Sequence, residues 1–196
     1  ALLAVIFILG LSGNGLAAEP GEGTIKGSIS NGTADGSNVT GIEITLKTYL
    51  DEKELEPATI NTDAEGNFVF NGLSTEPEYG YELTLEYQEA EYFGERLSFD
   101  SEETIKSTEI VVYDSTTNDE AVTVMMSHTI IYVEPENLRI IEYYLFVNES
   151  DKTYIGMESP SITGVREALT FSLPREAIEL SPGFGLMECC IYGSED

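Results

Sequence analysis

Apolar and polar side chains alternate one by one along Tyr81-Glu82-Leu83-Thr84-Leu85-Glu86-Tyr87, which puts Tyr81, Leu83, Leu85 and Tyr87 on one face. Only an extended chain sends successive side chains to opposite sides, so a period of two demands a strand with one buried face. Ile42–Tyr49 repeats the pattern, and Phe68-Val69-Phe70 and Glu109–Tyr113 are further runs of β-formers. No long window keeps apolar residues at the helical spacing i, i+3, i+4, i+7. Gly, Asn, Asp, Ser and Pro cluster between the runs, as turns require. The chain reads as all-β, with short strands at the spacing of a β-sandwich.

A second series starts near Glu120. Val122–Met126 and Ser127–Val133 make one or two strands, Glu134–Asn137 a turn, and Leu138–Asn148 a long apolar strand. Asn148–Lys152 turns the chain, and Leu169–Pro174 reads as a strand stopped by proline. Arg139 and Glu142 fall on opposite faces by parity. The composition shift at Asp114–Asp119 marks a linker. The expected organisation is two tandem β-sandwich domains, Ig-like or prealbumin-like, over 19–117 and 118–196, after a signal-like segment at 1–18. The pattern breaks off at Ile191–Asp196, so the second domain is expected to continue beyond the sequence given.

The 196 residues include 36 Asp+Glu against 9 Lys+Arg, a formal charge of -27. Such a surface repels phosphate backbones and anionic lipid heads, which excludes nucleic acid as an expected partner. It favours solubility, cations or basic proteins. The apolar run Ala1–Leu9 is shorter than the about 20 residues a spanning helix needs. It suits the apolar core of a secretory signal, with Gly15–Ala18 supplying small residues near a cleavage point. The alternative is a mature hydrophobic tail of a filament subunit. Cys189 and Cys190 are adjacent, a separation that disfavours a mutual disulfide, so no disulfide framework is visible.

Asn61–Leu73, NTDAEGNFVFNGL, gathers Asp63, Glu65 and Asn67 around Gly66. A calcium loop of the EF-hand kind needs Gly at position 6 and a bidentate acid at position 12. Counted from Asp63, Gly66 is at position 4 and position 12 is Ser74, so that reading fails. Asp63 and Glu65 remain candidate Ca2+ ligands of a looser site. The competing reading is a hairpin turn between Thr59–Thr62 and Asn67–Asn71, with Asp63 bonding the backbone and Gly66 supplying a positive φ.

The same residues carry a resemblance. Thr62–Leu73 resembles the hallmark of carboxypeptidase regulatory-like domains, together with Gly23–Ile29, Gly41–Tyr49, Tyr81–Gln88 and Ala90–Tyr92. The likeness spans about residues 23–113, roughly half the chain. It implies a seven-stranded, prealbumin-like β-sandwich, a fold used as an accessory in many exported proteins. Leu138–Asn148, Asp151–Gly156 and Leu169–Pro174 are similar to a further β domain that follows such sandwiches in uncharacterised prokaryotic envelope proteins. There it often precedes a C-terminal membrane helix, so membrane attachment is expected only through an anchor beyond Asp196. The family brings no catalytic residues.

The residues suggest little chemistry. His128 has no Cys or Asp partner at catalytic spacing. Acid pairs such as Glu102-Glu103 mean little among 36 acids. Lys26, Lys47, Asn71 and Glu82 could supply an isopeptide bond, although Lys47 sits on a polar face. Asn31, Asn38 and Asn148 head Asn-X-Ser/Thr sequons in expected turns and are candidate glycosylation sites. The expectation is a non-enzyme without cofactor: an exported spacing, adhesion or assembly module of the cell envelope or extracellular space. Its partners would be other envelope or extracellular proteins, further copies of itself, or a glycan. The alternatives are a filament subunit assembled by strand complementation, or an accessory domain of an envelope enzyme complex.

Overall fold

Strands with one apolar face are stable only when two such faces meet, and that is the arrangement in the computed structural model, which describes residues 23–100, 103–157, 166–170 and 175. Among these residues every regular element is a strand. The chain runs β1 Gly23–Asn31, β2 Glu43–Leu50, β3 Lys53–Glu54, β4 Ala58–Asn61, β5 Asn67–Leu73 and β6 Tyr79–Tyr87. It continues through β7 Ala90–Phe93, β8 Ile105–Val112, β9 Ser115–Thr116, β10 Val122–Val133, β11 Leu138–Asn148 and β12 Thr153–Tyr154. The signal-like segment 1–18, Cys189, Cys190 and most of the expected strand at 169–174 lie outside the described residues.

One sheet has the order β5-β1-β8, with β1 antiparallel to β5 and parallel to β8. The other has β2 at its centre, with β6 and then β7 on one side and β3 and β4 on the other. The two inner faces share one core. Ile25, Ile29, Phe68, Phe70, Ile110 and Val112 come from the first sheet. Ile44, Leu46, Tyr81, Leu83, Leu85 and Tyr87 come from the second. The alternation seen in Tyr81–Tyr87 is thus the inward row of β6. Burial pushes the Tyr81 hydroxyl up to about 12, while that hydroxyl donates to the Ser74 carbonyl at 2.8 Å. The ring of Phe99 meets Tyr81 edge to face at 5.7 Å.

Two tight hairpins hold the second sheet in register. β2 turns into β3 through Asp51–Glu52, and β6 into β7 through Gln88–Glu89. All four turn residues have φ between 47° and 66°, as a two-residue hairpin matched to strand twist demands. None of them is Gly or Asn, so the strand pairing, not the turn chemistry, imposes the conformation.

Asn61–Asn67 is not the expected hairpin turn. β4 pairs with β2 and β5 pairs with β1, so the loop carries the chain from one sheet to the other. Gly66 sits at the corner with φ +84°. Its carbonyl accepts from the Ile29 amide at 2.9 Å, and a Cβ there would stand 2.6 Å from the Ile29 carbonyl oxygen. Gly72 has a similar φ of +72° but open space around it. Gly72→Ala should therefore cost only the left-handed backbone term, about 1 kcal/mol. Gly66→Ala should cost at least about twice that, because the clash with β1 adds to the same backbone term. Chemical denaturation of both variants checks the ordering; equal losses would contradict the corner geometry.

Candidate interaction ribbon and the junction that holds it

β10 and β11 form a long antiparallel ribbon, from Val122 paired with Asn148 to Val133 paired with Leu138. Of the one or two strands expected there, the chain forms one, β10, and its irregularity is an extra residue between Val124 and Met126. Among the described residues neither strand pairs with any other. Apolar side chains occupy both faces of this two-stranded sheet. On one, Val133, Ile131, Leu138 and Ile140 are 84, 58, 59 and 47% exposed. On the other lie Met126, Ile130, Tyr132 and Tyr143, also exposed.

Arg139 and Glu142 do take opposite faces. The Arg139 guanidinium lies 4.2 Å over the Tyr132 ring and 3.4 Å from Glu134, so the tip neutralises its own cation. Glu142 is paired across the strands with Thr129. His128 is exposed beside Tyr143, within the ribbon and away from the sandwich.

The expected linker is a bonded joint rather than a tether. β9 pairs in parallel with β12, and Thr153 donates its amide to the Asp114 carbonyl. The Tyr92 hydroxyl shares a hydrogen bond of 2.6 Å with Thr153 Oγ1. Thr33 Oγ1 donates to the Asp151 carbonyl at 2.6 Å and accepts from the Asp114 amide at 2.9 Å. At the centre is the Asp114 carboxylate. It accepts from Asn31 Nδ2 at 2.8 Å, the Tyr87 hydroxyl at 3.0 Å, Gln88 Nε2 at 3.1 Å, and both the amide and the hydroxyl of Ser37. Donation by Asn31, then by Ser37 and Tyr87, holds this carboxyl down to about 2. Sequence reading passed over Asp114 because the partners of its carboxylate come from two distant stretches of chain, 31–37 and 87–88.

The residues singled out from sequence sit as follows. Asp63 Oδ1 accepts from the amides of Glu65 and Asn67, and Oδ2 from the Asn67 side chain. The Asn67 amide leads the interactions that pull the Asp63 carboxyl below the usual range. Glu65 is exposed. Among the described residues no three His, Cys, Asp or Glu side chains are grouped to hold a metal ion. Asn31 spends its amide nitrogen on Ser37, Tyr87 and Asp114. Asn38 and Asn148 are exposed, and each closes an Asx turn two residues on. Lys26 and Asn71 lie on the three-stranded sheet, whereas Lys47 and Glu82 are cross-strand neighbours on the other, so the four are not brought together.

On the outer face of the five-stranded sheet, a shallow open depression of about 320 Å³ is lined by Glu43, Thr45, Lys47, Thr84, Glu86 and Phe93, among others. No buried side-chain polar atom among the described residues lacks a partner, so none marks a missing ligand. Comparison with known proteins finds no matching family and no significant match to a curated protein.

The junction yields a pH test. A carboxyl with a depressed folded pKa stabilises the fold above its unfolded value and loses that contribution as pH falls through the folded one. The Asp114 contribution should be complete above about pH 4 and vanish towards pH 2. Asp114→Asn should flatten that segment of the stability profile. Asp114→Ala, which strands several donors, should cost about 2 kcal/mol and expose residues 114–120 to proteolysis. A variant as stable and protease-resistant as the parent would remove Asp114 from the centre of the joint.

Proposed function

We propose that this chain is an exported, non-catalytic structural protein of the cell envelope or extracellular space. In this reading a carboxypeptidase regulatory-like sandwich at about 23–113 carries a second β domain, and the two act as a spacing, adhesion or assembly module. The observation that carries it is the ribbon: an apolar two-stranded sheet that no other described strand covers, held by a dense hydrogen-bonded joint on an acidic sandwich. Exposed apolar sheet in a strongly acidic chain suits docking to another protein better than it suits turnover of a small molecule. The Asp114 cluster is satisfied internally by its own donors. A filament subunit is the second reading, favoured by the two outer edges of β10 and β11, which pair with no other described strand.

Export is the property to test first. Residues 1–22 fused to a phosphatase that is active only outside the cytoplasm should give active enzyme in the envelope or medium. The processed fusion should begin near Glu19. An inactive fusion that stays in the cytoplasm with its leader retained would reject the exported reading.

A further inference from the structure

The ribbon poses a problem of mass action. Twelve large apolar side chains of the two strands, shared between both faces, stay 38–84% exposed. Strands apolar on both sides are ordinarily covered on both sides. We propose that the β10–β11 ribbon is a self-association element, each of its faces covered by the ribbon of another copy of this chain. The inference rests on the structural-module reading and names the partner.

Charge selects the partner. The chain carries -27, so two copies repel over most of their surface. Val122–Val133 contains no Asp, Glu, Lys or Arg, and β11 adds only Arg139 and Glu142. Arg139 is already matched by Tyr132 and Glu134. The ribbon thus brings little like charge together when a copy approaches: Glu142 alone, on the Ile131 face. A basic protein would be drawn to the acidic surface instead. Hydrocarbon is a poor occupant, because the unpaired outer edges of β10 and β11 would leave peptide groups without hydrogen bonds.

Area sets the form of the assembly. Exposed side chains of these sizes offer on the order of 100 Å² each, so the five or six on each face present roughly 500–600 Å². One face covered by its like in a second copy buries about 1,000–1,200 Å² in total, the low end of the range of specific interfaces. Each face can therefore hold one further copy, and a subunit with two such faces extends without closing.

Sedimentation velocity on the full 196-residue chain, between about 5 and 200 µM, tests this. The mass should climb in steps above the 21.5 kDa monomer. Ile131→Lys blocks one face and Tyr143→Lys the other. Each single variant should stop at a dimer, and the double variant should remain a monomer. An unchanged thermal melt shows that the variants fold; where a lysine variant fails to fold, Ile131→Thr and Tyr143→Thr replace it and should weaken assembly in the same order. A parent chain that stays monomeric at the top concentration overturns the proposal, as does a double variant that assembles like the parent. If the parent is monomeric and a chain ending at residue 175 associates, the chain's own last residues cover the ribbon. None of these outcomes alters the export result, so failure here and failure of the functional reading are separable.

Discussion

The inward row of β6 is the constraint on which the rest depends. Tyr81, Leu83, Leu85 and Tyr87 present one continuous apolar edge to the facing sheet, with Leu83 fully buried. β6 also pairs with β2 along seven residues and with β7 along four. Each side chain of that row buried from water is worth about 1.5–3 kcal/mol, enough to impose left-handed turns on Asp51–Glu52 and Gln88–Glu89. Those turns in turn place Gln88 where its side chain meets Asp114 and Ser115. The core of the sandwich and the joint to the ribbon are therefore one mechanical unit, linked through the end of a single strand.

The joint converts a flexible-looking sequence into a fixed one. Asp114–Asp119 has the composition of a linker, and composition is what a tether would share with it. The difference is non-local: Asn31, Ser37 and Gln88 reach Asp114 only once β1, β2 and β6 are assembled. Asn31 shows the same blindness. Its sequon motif is local, while the three acceptors of its amide are 6, 56 and 83 residues away.

Strands were legible because alternation is a local signal written into neighbouring residues. β2, β5, β6, β8 and β11 all lie where the pattern places them. Sheet membership was not legible at Asp63–Gly66. An Asp that bonds its own loop and a glycine with positive φ serve a hairpin and a sheet-to-sheet corner equally well. What decides is whether β5 pairs with β4 or with β1. That choice depends on Phe68 and Phe70 packing against Ile25 and Ile29, more than 35 residues away. The metal reading of Asp63 and Glu65 had the same root, since carboxylates that cap a turn and carboxylates that bind a cation look alike in sequence.

The ribbon was visible as two long apolar runs, and their reading as part of a second sandwich follows from the same physics that makes it reactive. A strand apolar on both faces needs two layers of cover. The acidic surface limits what can supply them, because an approaching acidic body is repelled until it reaches the uncharged stretch Val122–Val133. Screening by salt shortens that repulsion to about 8–10 Å and leaves the apolar contact untouched. In the proposed assembly, higher ionic strength would therefore remove the barrier to bringing ribbons together without weakening what holds them, so charge would set the rate and the threshold of association while the ribbon sets its geometry.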